Sequence, residues 1–376
     1  AVYSCFQDLP EAYDRVMREQ VGKSLYLTKP WFENLITTCI EGNEEVRLVA
    51  VEDSLGRPIM LLPCRAPAGQ NGSIYSRWRL GRSTLASLTN YQSSFFSPLL
   101  TVVDSKVLED ACDYLAHYIA QGRQWTLLDL NLMDPDSREF IALSNAFVRA
   151  GFFVTKYCYK GNWYEEFADV SYDGYLSSRA KSARKAIKNY ERKIRKLQRE
   201  SRLEVKFYTQ ESQLPSALRA YEAIYNSSWK EPDRYPGFAP GLLRVAAREG
   251  SMRFALVEID GQPAALEFAI VTGRNAVMMR TAYDPKYRDL SIGSIAMLSM
   301  IEYLLNIDCV KSIDFGTDDD SYKATWVTKR RERWGLTCVN TRSFEGLTFC
   351  ARLGLRRFDR TLRNTLKSAL GRGPDS

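Results

Sequence analysis

Histidine is almost missing from this 376-residue chain; the one present, His117, sits in DYLAHYIAQG, where the apolar spacing predicts a helix. A relay built on imidazole would rest wholly on that residue, and a histidine-rich metal site is excluded, so His117 reads as an ordinary helix position. The eight cysteines, at positions 5, 39, 64, 112, 158, 309, 338 and 350, form no CxxC pair and lie in apolar surroundings. They read as reduced, mostly buried thiols rather than zinc ligands or a disulfide framework. A membrane-spanning run is missing too: Ile292 to Leu305 contains Glu302 and is about 14 residues long, against the roughly 20 needed. It predicts a buried helix. The opening AVYSCFQDLPEAYDR has no basic segment followed by an apolar run, which makes the cytoplasm the expected compartment.

What is present describes a folding, water-exposed protein. Hydrophobic residues make up 45% and charged residues 26%, which is unlike a disordered chain, and the length predicts two domains. The formal charge of +7 is unevenly spread, because Ser178 to Arg202 carries eleven Lys and Arg against two Glu. A second basic segment, Arg352 to Arg372, has Leu355, Phe358, Leu362 and Leu366 at helical spacing, flanked by Arg356, Arg357, Arg360, Arg363 and Lys367. That pattern fits a helix lying on anionic lipid at the inner membrane face, or one packing on the preceding domain. The first basic segment predicts a helix over 179–200 whose narrow stripe is Ile187, Tyr190, Ile194 and Leu197.

An internal repeat organises the chain. RLVAVEDSLGRPIMLLP, from Arg47 to Pro63, superimposes on RFALVEIDGQPAALEF, from Arg253 to Phe268, after one deletion in the turn. Alternating apolar residues around a Gly-containing turn make each a β-hairpin. Helical patterns precede both hairpins, Lys29 to Ile40 and Leu214 to Trp229. A strand, helix and strand follow each: Gln92 to Val103, Val107 to Gln121 and Trp125 to Leu132 in the first half; Ala276 to Tyr283, Ile292 to Leu305 and Ser312 to Asp314 in the second. The join lies near Glu165 to Tyr175, which predicts domains at 1–165 and 166–350, with 351–376 as a basic amphipathic tail.

Three features of the second half point to chemistry. Ser291, Ile292, Gly293 and Ser294 open an apolar helix directly after a strand, and the unpaired amides of such an end favour an anion, with Arg288 adding fixed charge. The first half has no such turn, since YQSSFFS runs into Pro98, so no cofactor is expected there. Glu267 stands where the first hairpin has Leu62; a core-facing carboxylate is a candidate general base, while an outward-facing one would be ordinary. Then comes SIDFGTDDDSYKATW, in which Asp314, Asp318, Tyr322 and Lys323 stand at strand ends, where α/β folds place their ligands. Asp-Phe-Gly here has none of the companion motifs of a protein kinase, and the Asp run reads as a solvated turn rather than a cation site. Trp229 and Lys230 begin a Pro-containing loop able to cover an acceptor.

The segments RAKSARKAIKNYERKIRKLQRE, FALVEIDGQPAALEFAI, YDPKYRDLSIGSIAML and DFGTDDDSYKATW, in that order, resemble the GNAT acetyltransferases of the CelD type, associated with cellulose and other exopolysaccharide pathways. They are also similar to the related Fem-type aminoacyltransferases. The resemblance covers Tyr172 to Trp326 and reaches the first half only by position. It implies an α/β (α+β) architecture of tandem GNAT-like domains, the first degenerate, each a mixed central sheet flanked by helices. It also implies acyl transfer to an amine or hydroxyl and a lysine like Lys323 near the reacting carbonyl. Such proteins often open the helix with Ser-Pro-Gly, where this chain has Ser291, Ile292, Gly293.

The expected activity is direct transfer from acyl-CoA, without a metal, to a small-molecule, sugar or envelope-precursor acceptor. Arg288, Ser291, Ile292, Gly293 and Ser294 would hold the donor, Glu267, Asp314, Tyr322 and Lys323 would act in the chemistry, and Trp229 and Asp318 would meet the acceptor. Two alternatives differ in class: an aminoacyl-tRNA-dependent transferase, whose tRNA would lie on the basic helix, and a non-catalytic scaffold in envelope assembly. No DNA partner is expected.

Overall fold

The computed structural model describes residues 1–20, 23–68, 84–101, 104–122, 124–168 and 171–351. The basic segment with Leu355, Phe358, Leu362 and Leu366 lies outside the described residues. The chain begins with β1 (Val2–Tyr3), α1 (Ala12–Arg18), α2 (Lys29–Cys39) and the hairpin of β2 (Glu44–Glu52) and β3 (Pro58–Pro67). It continues through β4 (Thr84–Ser87), β5 (Leu99–Leu100), α3 (Ser105–Gly122), β6 (Leu127–Met133), α4 (Arg138–Arg149) and β7 (Phe152–Glu166). Next come α5 (Tyr172–Ser178), α6 (Lys181–Arg199), β8 (Leu203–Tyr208), α7 (Leu214–Ser227) and α8 (Phe238–Arg248). The hairpin of β9 (Met252–Ile259) and β10 (Gln262–Thr272) leads to β11 (Asn275–Tyr283), α9 (Ile292–Asn306), β12 (Ser312–Thr317), α10 (Lys323–Trp326) and β13 (Lys329–Asn340).

Capping and patterning explain these boundaries. The Thr28 hydroxyl accepts from Trp31 N at 3.4 Å and Ser137 from Phe140 N at 3.2 Å, so α2 and α4 begin where a side chain takes an otherwise orphan amide. The expected helix over 179–200 is α6, and the separate helix α5 ends before it because Arg179, its C-cap, is extended (φ −76°, ψ 150°). In α6 the residues Ile187 and Leu197 are buried, and Tyr190 and Ile194 pack beside them. His117 is exposed on α3. All eight cysteines are free; Cys39, Cys64, Cys112 and Cys338 are buried, whereas Cys158 and Cys309 are exposed. No described helix is long and apolar enough to cross a membrane.

All described strands join one mixed sheet, in the order β1-β2-β3-β4-β6-β13-β7-β12-β11-β10-β9-β8, with β5 beside β3. The two halves repeat: β3 with β4 and β10 with β11 are antiparallel, and β4 with β6 and β11 with β12 are parallel. The repeated hairpins pair in the same register, Val49 facing Leu62 and Ala255 facing Glu267. The middle of the sheet is an exchange, for β7 pairs with β12 of the second half while β13 pairs with β6 of the first, and β7 and β13 pair with each other.

One face of the sheet carries a core common to both halves, in which Leu48 and Leu61 meet Trp31 and Phe32 of α2 alongside Phe254, Phe268 and Leu242 of the second half. The other face has separate cores, Leu62 and Val49 under α3 and α4, and Ala255 and Ala269 under α6 and α9. The strand expected over Gln92 to Val103 is not formed as such: β4 occupies that place in the sheet, and among the described residues of the expected stretch only Leu99 and Leu100 form a ladder. Between them Asn90 and Ser93 satisfy each other, Asn90 Oδ1 accepting from Ser93 N at 3.0 Å, a local turn that competes with sheet pairing.

Where the exchanged strand β7 ends, Glu165 is buried at 4% exposure and accepts from Arg179, from Thr328 N at 2.9 Å and from Thr328 Oγ1 at 2.8 Å. Arg179 also donates to Trp326 O at 2.9 Å. Removing one partner leaves a buried uncompensated charge, so Glu165→Ala should lower the unfolding free energy by about 3–5 kcal/mol. Urea titration followed by circular dichroism checks this, and adding Arg179→Ala should cost far less than the sum of the two single changes.

Candidate functional site

The parallel pairing of β11 with β12 covers only Asn275 to Val277 against Ser312 to Asp314. Beyond it, β12 follows β7, with Thr317 opposite Asn162 after a bulge, while β11 runs on to Tyr283. The strands therefore part and leave the β11 edge from Met278 onward without a strand partner on that side. A register shift at Phe268/Ala269, opposite Arg280 and Met278, adds Met279 as a bulge at the same level.

Three adjoining cavities occupy this opening. The innermost, about 120 Å³, is lined by Glu267, Thr281, Met297, Phe315, Tyr322 and Lys230, among others. It shares Thr281, Met297 and Tyr322 with a cavity of about 400 Å³ against the start of α9. It shares Lys230 and Arg280 with a third, of about 430 Å³, which Tyr91 of the first half helps to line.

The start of α9 forms one wall of the 400 Å³ cavity through Ser291, Ile292, Gly293 and Ser294, with Arg288, Trp229 and Tyr190 nearby. The first backbone bond of the helix runs from Ile295 N to Ser291 O at 3.1 Å, so the amides of Ile292, Gly293 and Ser294 belong to the turn that has no acceptor within the helix. Ser291 stands in the left-handed region (φ 59°) and does not cap the helix with its side chain; its hydroxyl accepts from Lys193 Nζ of α6 at 2.8 Å. Gly293 is required by packing as well, because a Cβ there would lie 2.8 Å from the Tyr283 ring. In the first half the equivalent helix is self-satisfied, Asp104 Oδ1 accepting from Lys106 N at 2.7 Å and Val107 N at 3.2 Å. The corresponding gap between β4 and β6 is closed as well, by Ser87 and Thr89 donating to Asn131 Oδ1 and Phe96 N to Leu132 O.

Glu267 is 1% exposed, which removes the outward-facing reading, and its Oε2 has no hydrogen-bond partner among the described residues. Burial pushes its carboxyl well above the usual range, opposed by Thr281 and the charge of Lys230. Lys230 moves the other way, to about 8, through burial and the neighbouring Arg280, while Glu267 pulls it back up. Burial and the charge of Glu267 raise the Tyr322 phenol, which keeps it a proton donor. Arg280 is pinned by Asp233 and donates to Tyr91 Oη at 3.1 Å. An acid and a base with opposed shifts thus share one small cavity.

The remaining expected residues lie elsewhere. Asp314 is on the opposite face of the sheet, where it accepts from Arg331 at 2.8 Å and from Asn162 at 2.8 Å. Asp318 pairs with Lys160 at 2.7 Å. The Lys323 ammonium is buried and donates to Thr317 O and to Asp318 O at 3.0 Å, so it shapes the loop that presents Tyr322. Arg280 and Thr281 were not among the residues singled out from sequence, although an arginine within NAVMMRTAY is a charge in an apolar strand; Lys230 was noted only as part of a loop.

Residues 184–324 match the family described as Acetyltransferase (GNAT) domain. No curated protein matches the chain significantly. Among solved structures, FemX is similar over 89% of this chain and 96% of its own, with 10% identity and a TM-score of 0.56. The C-terminal domain of a putative lysylphosphatidylglycerol synthetase from Agrobacterium fabrum is similar over 90% and 93%, with 12% identity and a TM-score of 0.52. L-PGS from Bacillus licheniformis is similar over 90% and 94%, with 11% identity and a TM-score of 0.52. At such identities the likeness is one of fold. The chain therefore carries a GNAT-type acetyltransferase domain over residues 184–324, within a two-half α/β fold shared along nearly its whole length with FemX.

Proposed function

We propose that the second half transfers an acyl group directly from acyl-coenzyme A to an amine or hydroxyl of a small-molecule, sugar or envelope-precursor acceptor. One observation carries this reading: a buried carboxylate with an unpartnered oxygen lies in a cavity that shares walls with a pocket at an uncapped helix start. The amides of residues 292–294 and Arg288 suit the pyrophosphate, and the aromatic walls from Trp229, Tyr190 and Trp326 suit the less polar arm that follows it. The donor supplies the reactive thioester carbonyl. The acceptor enters from the side of Tyr91, Lys230 and Arg280, and Glu267 removes its proton as the new bond forms. Tyr322, on the wall common to both cavities, donates to the developing oxyanion or to the departing thiolate.

The donor assignment is tested by calorimetric titration with coenzyme A. Binding should be measurable at micromolar to millimolar concentrations, and its absence removes the reading. Ser291→Asp copies Asp104 of the first half and should weaken binding about tenfold or more, because the helix start then carries its own anion.

The general base is tested by kinetics. Glu267→Gln should lower kcat by about 10²–10⁴-fold with little change in donor binding. The base must be ionised and its pKa is raised, so the wild-type rate should climb with pH through a limb above the ordinary carboxylate range. Lys230→Met should move that limb to still higher pH, since the lost ammonium no longer favours the carboxylate. A limb that is unchanged in Glu267→Gln would assign the base elsewhere.

A second donor, aminoacyl-tRNA, is favoured by one observation. Lys181, Lys185, Lys188, Arg192, Arg195 and Arg199 are exposed along one stripe of α6, none with a carboxylate of the described residues within 4.0 Å. Activity that is destroyed by ribonuclease and falls steeply with salt would select it over acyl-coenzyme A.

A further inference from the structure

On the sheet face opposite Glu267, the two halves enclose a cavity of about 300 Å³ that the transfer reaction leaves unused. The alternation along β12 sets the faces: Ile313 and Phe315 pack toward α9, so Asp314 points the other way, into this cavity. Arg331 and Arg333, two residues apart on β13, line the same cavity.

Arg333 is 4% exposed and, among the described residues, has no carboxylate within 4.0 Å. Its Nε donates to Ser94 O at 3.0 Å, its Nη2 to Asn162 Oδ1 at 3.3 Å, and its guanidinium lies 4.7 Å from the centre of the Phe95 ring. Arg331 donates from Nε to Asn162 Oδ1 at 2.6 Å and from Nη2 to Asp314 Oδ2 at 2.8 Å. Neither Nη1 donates to any described residue. Two guanidiniums therefore share one carboxylate, and a buried cation without a counter-charge is costly unless an anion is supplied. Uncommitted N–H groups on neighbouring guanidiniums suit the two oxygens of one oxyanion.

Charge narrows the ligand further. Arg331 and Arg333 against Asp314 leave a single positive surplus, and Glu166 in the same wall is occupied by Lys329 at 2.6 Å. Lys23 and Asp134 also line the cavity and offset each other. Three carboxylates in the wall, Asp134, Glu166 and Asp314, oppose a doubly charged phosphate, whereas a monoanion matches the surplus. We propose that this seam cavity binds a small monocarboxylate between the Nη1 groups of Arg331 and Arg333. The site is independent of the acyl-transfer reading, since it uses none of the same residues and binds without a donor.

The test follows thermal unfolding of the full chain in carboxylate-free buffer with butyrate or inorganic phosphate, sodium chloride holding ionic strength constant. Butyrate should raise the Tm saturably in the wild type and in Glu267→Gln, and at least tenfold more should be needed in Arg333→Gln and Arg331→Gln. Arg331 is partly exposed and does not hold Ser94, so its variant reports even if Arg333→Gln folds poorly. No saturable butyrate effect, an equal effect of phosphate, or an unchanged butyrate midpoint in Arg331→Gln overturns the proposal.

Discussion

The antiparallel ladder between β7 and β13, from Phe152 against Asn340 to Tyr164 against Lys329, is the constraint from which the rest of the molecule follows. Each strand closes the half that it did not come from, so the sheet has no break between halves and one core runs beneath both. The same ladder shapes the cleft. Because β12 must bend to reach Asn162 on β7, it leaves β11 after three paired positions, and the cavity around Glu267 lies in the space so created.

Duplication lets the second half be read against the first. The scaffold is the same, yet the first copy has filled every feature that a ligand would use: Asp104 answers the helix amides, Asn131 with Ser87 and Thr89 bridges the strand gap, and Leu62 occupies the place of the buried acid. The second copy leaves the same three places unfilled by its own groups. Its Ser291 is turned away to Lys193, its β11 edge is open, and Glu267 keeps one oxygen without a partner. A protein interior seldom leaves buried polar atoms unpaired without a reason.

Much of this was legible in the residues. The repeat was visible because hairpin alternation is a short-range pattern, and Glu267 stood out as a carboxylate in an otherwise apolar strand. The helix start was marked by Ser291 to Ser294 after a strand. The exchange of β7 and β13 was not visible, since pairing partners far apart in sequence leave no local periodicity. Lys323 shows a related limit: its place after Tyr322 suggested the cleft, but a long side chain goes where acceptors are, here the carbonyls of Thr317 and Asp318. Lys230 and Arg280 meet only because a loop and a bulged strand converge. The four-residue β4 was too short to outweigh the apparent strand signal of Gln92 to Val103.

The exchange also has a cost during synthesis. The strand that covers the β6 edge is β13, which ends at Asn340 in a chain of 376 residues. Until β13 has left the ribosome, the first half presents an unpaired edge of mostly apolar sequence, Leu127 to Met133, of the kind that templates aggregation. Neither half can reach its final sheet alone, which gives the molecule a long-range, slow closing step and an exposed interval in which a chaperone has something to hold.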